Sequence, residues 1–458
     1  MANVFNSQDL FLDELRFAWP RETAILDCVT FDPSVQKKFE PTNHAGSHIN
    51  LRRPSWIQGL VDPNTTGAVP PNPQNTTQDF YDESLADGVM VTPTGFQSLQ
   101  QASLQIVLSH TVRADVEVSA QRLTQTLTRE QIREEFVEPM MTSAVENLQQ
   151  ALIADIDAYT GNAVVANPSY TNYAQLLQNV TGAGASVMRS RKGIGQIHQG
   201  YLLTNPDALY NFGTGAATNY HIGENPESIQ DKGEWGGRKI NGFRPITSPL
   251  IGSKAIPAQW SGVTVAAAAG GVTNGLTAWG ATFQVLLQGL PNNAVLPRGL
   301  KIYFVSGGSV NVNWVIPTTK ANTGKVATFS LVNSVTASGT GTATVTLSGP
   351  LVYAGPSRNV SITTALDGYS AFIVGATVGA STQTPAYLIN PKAVVGAMQH
   401  YDIPVGTPWF KHITTKNGAR FSLFLDRWPT TGQSVLSLRG YFGAAVVAEE
   451  GTSIAYGV

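Results

Sequence analysis

From Trp235 to Leu366 the chain runs for 132 residues with nine lysines and arginines and without one aspartate or glutamate. Such a stretch cannot supply a carboxylate acid or base, or the carboxylate ligands that hard cations favour. Whatever it does rests on surface and shape. Its texture is equally restrictive: β-branched and aromatic runs at Lys301 to Val305, Val310 to Val315, Ala327 to Val332 and Ala343 to Leu347 alternate with Gly, Ser and Asn turns. That alternation predicts an all-β region, which we place at about 257–385.

The carboxylates are concentrated elsewhere. Residues 1–234 carry 14 Lys/Arg against 26 Asp/Glu, so a nearly neutral chain of 458 residues is two-faced, with an acidic first half and a basic middle. Opposite-signed regions on a self-associating subunit can steer neighbours into register. Only 13% of residues are charged, whereas 42% are hydrophobic, enough for a chain of this length to bury a substantial core. Cys28 is the single cysteine and cannot close an intramolecular disulfide. The N-terminal MANVFNSQDLFLDELRF has no basic start followed by an apolar run, and Val263 to Ala269 is too short to span a bilayer. We therefore expect no signal peptide, no membrane segment and synthesis in a reducing cytoplasm.

Along the chain, Ser7 precedes an apolar pattern from Leu10 to Phe17, which predicts a short amphipathic arm ending near Pro20. GSHINLRRP (Gly46 to Pro54) predicts a strand, and Leu60 to Asp79, rich in Pro, Asn, Thr and Gly, a long projecting loop. The alternation from Leu104 to Val118 predicts one long strand or two joined end to end. Thr128 to Gln131 forms a capping box, and apolar residues then recur at Ile132, Phe136, Met140, Ala144, Leu148, Leu152 and Ile156. This is a long helix, with Pro139 expected to kink it and Gly161 to end it. Residues 170–250 mix short helices and strands, with Asn205-Pro206 opening a helix. After the β region, Pro391 to His400 looks helical, and Phe421 to Leu425 and Val435 to Leu438 look like strands.

Motifs for chemistry are weak. The seven histidines are scattered, without a HExxH arrangement, and no GxSxG elbow occurs. Gly182-Ala183-Gly184 lacks the remainder of a phosphate loop and reads as a turn. Glu134, Glu135 and Glu138, interleaved with Arg129 and Arg133, read as a solvated helix face. Arg189, Arg191 and Lys192 read as a solvated basic loop, and Arg52, Arg53 and Trp56 as a weak nucleic-acid or partner-contact signal.

The order of parts (arm, extended loop, long strand, spine helix, α+β segment, β insertion, returning β segment) resembles the tailed-phage major capsid protein fold. GSHINLRRP looks like the start of that family's extended loop, Leu104 to Val118 like its return, Thr128 to Tyr159 like the spine helix, and Ile240-Asn241-Gly242-Phe243 with Ser248-Pro249 like the stretch before an insertion. LPRGLKIYF, VATFSLVNSV, ATVTLSGP and the C-terminal FSLFLDRW through LRGYFGAAVV are similar to coat proteins of short-tailed phages that carry an inserted β-barrel. The resemblance implies an α+β fold divided as 1–40 N-terminal arm, 41–110 extended loop, 111–170 peripheral domain with spine helix, 171–256 axial domain, 257–385 inserted β-barrel and 386–458 return to the axial and peripheral domains.

The same resemblance implies a structural protein rather than an enzyme, without cofactor or metal. It would form pentamers and hexamers of an icosahedral virion shell, with a scaffolding protein, a portal protein and loosely held double-stranded DNA as partners. Two departures matter. No lysine occurs between Phe39 and Arg191, so an isopeptide weld cannot start from the extended loop. The insertion also lacks the acidic loop with which relatives bridge neighbours. Any such bridge must be uncharged, or reversed in sign and carried by Arg298, Lys301, Lys320, Lys325 or Arg358. Together with Arg52, Arg53 and Trp56 these are the candidate inter-subunit contacts. Alternatives are an encapsulin-type compartment and, more distantly, a β-rich carbohydrate-active protein.

Overall fold

The computed structural model describes residues within 24–31, 48–53, 102–118, 134–165, 173–192, 200–209, 242–277, 283–376, 381–401, 409–427 and 434–456, apart from short gaps inside those spans. The expected arm, the loop of Leu60 to Asp79, the capping box and Trp56 lie outside them.

The backbone of the first layer is Ser434–Val446, a strand of 13 residues. Along one edge it pairs antiparallel with His110–Val118, from Phe442↔His110 to Ser434↔Val118. Its other edge is shared between Arg420–Arg427 and Val394–His400, so the sheet forks near Gly440. Only glycine fits at the fork, because a Cβ on Gly440 would lie 2.7 Å from the Arg420 carbonyl oxygen. Val112 and Ala114 are buried while Thr111, Arg113, Asp115 and Glu117 are exposed, so this strand has one wet face.

Glu138–Tyr159 lies across the dry face, burying Met140, Met141, Ala144, Val145, Leu148, Leu152 and Ile156 at helical spacing. Each fully buried leucine there contributes about 1.5–3 kcal/mol. Pro139 does not kink the helix from within. It is the second residue of the described α-helix, in the first turn, where a proline costs no intrahelical hydrogen bond. Buried Gln149 accepts a hydrogen bond from the Ile25 N–H at 3.1 Å, holding the short helix Ala24–Asp27 against the long one.

Val394–His400 is a strand, not the helix its composition suggested. It lies between Thr30–Phe31 and Ser434–Val446 and is buried on both faces over most of its length, which erases the alternation that would have marked it as β. Gly396 lets the Phe31 ring approach, since a Cβ there would meet ring carbon Cε1 at 2.7 Å.

A second sheet orders Ala163–Val165, Thr452–Tyr456, Ala386–Ile389, Gly200–Thr204 and Phe243–Thr247, with parallel pairings at both ends. Helix Tyr173–Ser190 packs on it. Gly182-Ala183-Gly184, read as a turn, is inside this helix. A Cβ on Gly184 would collide with Leu388 Cδ1, so the glycine permits close helix–sheet contact where its propensity alone would argue against a helix.

Strands of the carboxylate-free stretch, joined by Ser370–Ile373 just beyond it, build a sheet of seven antiparallel strands, ordered Val310–Asn311, Lys301–Ser306, Ser370–Ile373, Thr264–Val265, Phe283–Gln288 and Thr342–Leu347, with Thr328–Ser330 also on Lys301–Ser306. A bridge at Leu331↔Leu347 and bonds from Val332 N–H to Thr346 O (3.0 Å) and Ser348 N–H to Ser330 O (2.8 Å) join the ends, so the sheet closes into a barrel. Val285, Ile302, Phe304, Trp314, Phe329 and Val345 fill it. The chain enters and leaves through one antiparallel ladder, Lys254–Ile256 against Ser381–Gln383.

Candidate functional site

The long helix ends at Tyr159, and its last carbonyls lack intrahelical partners. The Asp157 carbonyl is satisfied from the barrel: the ammonium of Lys301 donates to it, and so does Ser330 Oγ at 3.3 Å. Just beyond, the Gly161 carbonyl accepts from Thr328 Oγ1 at 2.7 Å, and Thr328 Oγ1 accepts from the Ala163 N–H at 2.8 Å. The barrel strands thus cap a helix that precedes them by more than 140 residues, with a cation at the end where the helix dipole favours one.

Two helix carboxylates complete the junction. Asp157 Oδ2 accepts from Lys254 Nζ at 2.5 Å, and its Oδ1 lies 3.7 Å from Lys301 Nζ. Asp155 Oδ1 accepts from Arg298 Nη2 at 2.6 Å, while its Oδ2 is 3.4 Å from His110 Nε2. Arg298 Nε also donates to the Val332 carbonyl at 3.0 Å. A segment that has no carboxylates of its own borrows them from the helix. Gly299 lies against this pair, with φ +79° and no room for a Cβ beside Asp157 Oδ2.

The side chain of Lys301 is fully buried, and that burial lowers its pKa to about 7 against the opposing pull of Asp157. Burial, reinforced by the Asp157 charge, raises the buried hydroxyls of Tyr387 and Tyr456 well above the ordinary tyrosine value. Arg191 forms a second tie: its Nη1 donates to Asn162 Oδ1 at 2.7 Å, and its guanidinium stacks 3.6 Å from the centroid of Trp314.

These contacts redistribute the expected residues. Lys301 is not a surface cation reaching a neighbour; it is 1% exposed and engaged within its own chain. Arg298 likewise bonds Asp155 of the same chain. Arg191, read as part of a solvated loop, is 3% exposed and sits against the barrel core. Lys320 and Arg358 stand together away from any junction carboxylate: Lys320 Nζ donates to the Arg358 carbonyl at 3.1 Å, and the Arg358 guanidinium to the carbonyls of Val360 (2.9 Å) and Ser361 (2.8 Å). Lys325 is half-buried on the neighbouring strand Asn322–Val326. Arg52 and Arg53 end strand His48–Arg53, opposite Ser103 and Ala102.

The rings of His400 and His412 lie 4.5 Å apart between centroids, tilted by 44°, with their Nδ1 atoms at Phe421 O (3.0 Å) and Ser422 Oγ (2.9 Å). Among the described residues no group of three or more His, Cys, Asp or Glu could hold a metal, and no helix is long and apolar enough to cross a membrane.

No family model matches the chain, and no curated protein does. Among solved structures it is similar to a chain from Mycobacterium phage Che8, at 8% identity over 95% of this chain and 92% of that one, with a TM-score of 0.44. A chain of the mature capsid of bacteriophage PhiM1 aligns at 8% identity over 90% and 82%, with a TM-score of 0.40. A virus-like particle from Pyrococcus furiosus aligns at 7% identity over 98% and 96%, with a TM-score of 0.35.

Proposed function

We propose that this chain is the major coat protein of a tailed bacteriophage, assembling into pentamers and hexamers of an icosahedral head around double-stranded DNA. The observation that carries the reading is the architecture. His48–Arg53 pairs antiparallel with Ala102–Val107, a long helix lies on a sheet, a barrel is inserted through a single two-stranded stem, and the C-terminal strands return to both sheets. That is the order of parts that the sequence resemblance implies.

The junction suits such a subunit. A shell repeats every contact many times, so a small change in the angle between barrel and helix would be multiplied into a change of curvature. Two carboxylates, three cations and a helix cap supplied by the barrel hold that angle. Arg52, Arg53 and Trp56, at the opening of the extended loop, are proposed to lie over a neighbouring subunit, where a loop adds contact area without a deep pocket.

A separate scaffolding protein would direct curvature and a portal protein would occupy one vertex. The acidic first half would keep contact with packaged DNA loose. The mature location is then the virion, after synthesis in the host cytoplasm. Light scattering coupled to size exclusion tests the reading, because co-expression with the scaffolding protein should give particles of megadalton mass. A monomer or small oligomer under every condition would overturn it.

A further inference from the structure

Lys320 occupies a conformation that lysine rarely adopts. It ends the turn between Asn313–Val315 and Asn322–Val326 with φ +58°, its N–H bonded to the Ile316 carbonyl at 2.9 Å. Glycine or asparagine would take that backbone at lower cost. Lysine there places its ammonium on the Arg358 carbonyl, beside a guanidinium already anchored by the two carbonyls of Val360 and Ser361.

Both cations are half-buried, and the chain supplies no carboxylate between Trp235 and Leu366 to answer them. Burial, helped by the neighbouring Arg358 charge, lowers the Lys320 pKa to about 8, and burial also lowers that of Arg358. Two partly desolvated like charges, Lys320 on a strained turn and Arg358 held by two carbonyls close enough to act on it, make a prepared position for an anion. Arg298, Lys301 and Lys254 differ in that each has its carboxylate within the chain.

We propose that Lys320 and Arg358 form an anion site on the barrel, occupied in the assembled protein by a carboxylate from residues 1–234 of a second copy of this chain. Charge complementarity selects this occupant: those residues hold 26 carboxylates against 14 cations, an excess of 12 negative charges (26 − 14). The choice of a second copy rests on the shell reading; the site itself does not.

The test uses assembled particles from a mixture of isotope-labelled and unlabelled full-length chain, treated with a carbodiimide that joins amines to carboxylates in direct contact. Mass spectrometry should find Lys320 joined to an aspartate or glutamate of residues 1–234 in mixed-isotope pairs. Lys320→Gly relieves the turn, so the free subunit should be at least as stable as wild type while its shells dissociate at lower salt concentration than wild-type shells. Wild-type shells with no such cross-link, or with Lys320 joined only within one chain, would overturn the inference alone. So would Lys320→Gly shells as salt-resistant as wild type, or loss of the site's reactivity on adding inorganic phosphate instead of on assembly. If wild-type protein formed no shells, the shell reading would fall and the second-copy occupant with it.

Discussion

Asp157→Asn deletes one negative charge and almost no volume, and it leaves the main-chain carbonyl that Lys301 caps in place. The side chain it alters answers two cations, Lys254 at 2.5 Å and the fully buried Lys301 at 3.7 Å. Breaking a buried pair by removing one partner costs about 3–5 kcal/mol, because the remaining charge is stranded. Arg298 keeps Asp155, so we expect a loss near the lower end, about 3 kcal/mol. Lys301→Met should cost less, about 1–2 kcal/mol, because it removes an expensive buried charge along with its bonds and Ser330 still reaches the Asp157 carbonyl. The double variant should then fall short of the sum by about 1–3 kcal/mol. Urea unfolding of unassembled subunits, followed by the fluorescence of buried Trp314 and Trp260, measures all four corners of the cycle. If Asp157→Asn lay within about 0.5 kcal/mol of wild type, or the two losses simply added, the junction would not be the electrostatic unit described above.

The same lysine predicts a pH dependence. Folding lowers its pKa from 10.5 to about 7, so between those values the unfolded chain binds the proton more tightly and stability rises with pH, by on the order of 1 kcal/mol per unit at most. Above about pH 10 the buried Tyr387 and Tyr456, whose hydroxyls are held protonated by folding, reverse the trend. Urea midpoints from pH 7 to 10 should climb for wild type and climb less for Lys301→Met, in which Lys320, lowered to about 8, still contributes a rise. Gly299→Ala puts a Cβ against Asp157 Oδ2 at φ +79° and should cost at least 2 kcal/mol; a variant as stable as wild type in thermal unfolding would contradict that packing. Gly440→Ala crowds the Arg420 carbonyl at the sheet fork and should cost about 1–3 kcal/mol, read by the same melt.

Much of the secondary structure was legible because burial there is one-sided. Strand His110–Val118 alternates between core and water, and the long helix shows its buried stripe from Phe136 to Ile156 at clear helical spacing. Val394–His400 was misread because a strand covered on both faces has no period to display. Gly182 to Gly184 misled for a related reason: the propensity of glycine argued locally for a turn, whereas contact with Leu388 required a small residue in a helix. The junction was hidden most deeply. Lys301 and Asp157 are 144 positions apart, and nothing local distinguishes a lysine that caps a distant helix from one in solvent. The missing carboxylates were the available clue, since a buried cation in such a stretch has to find its partner outside it.

The central claim is that this chain exists to build a shell, and electron microscopy tests it most directly. Negative-stain images would be taken of the protein purified from expressing cells, with and without the scaffolding protein of the same genome. Closed particles of uniform diameter in the presence of scaffold, and irregular or absent ones without it, are the predicted result. Monodisperse small particles under both conditions would contradict the account.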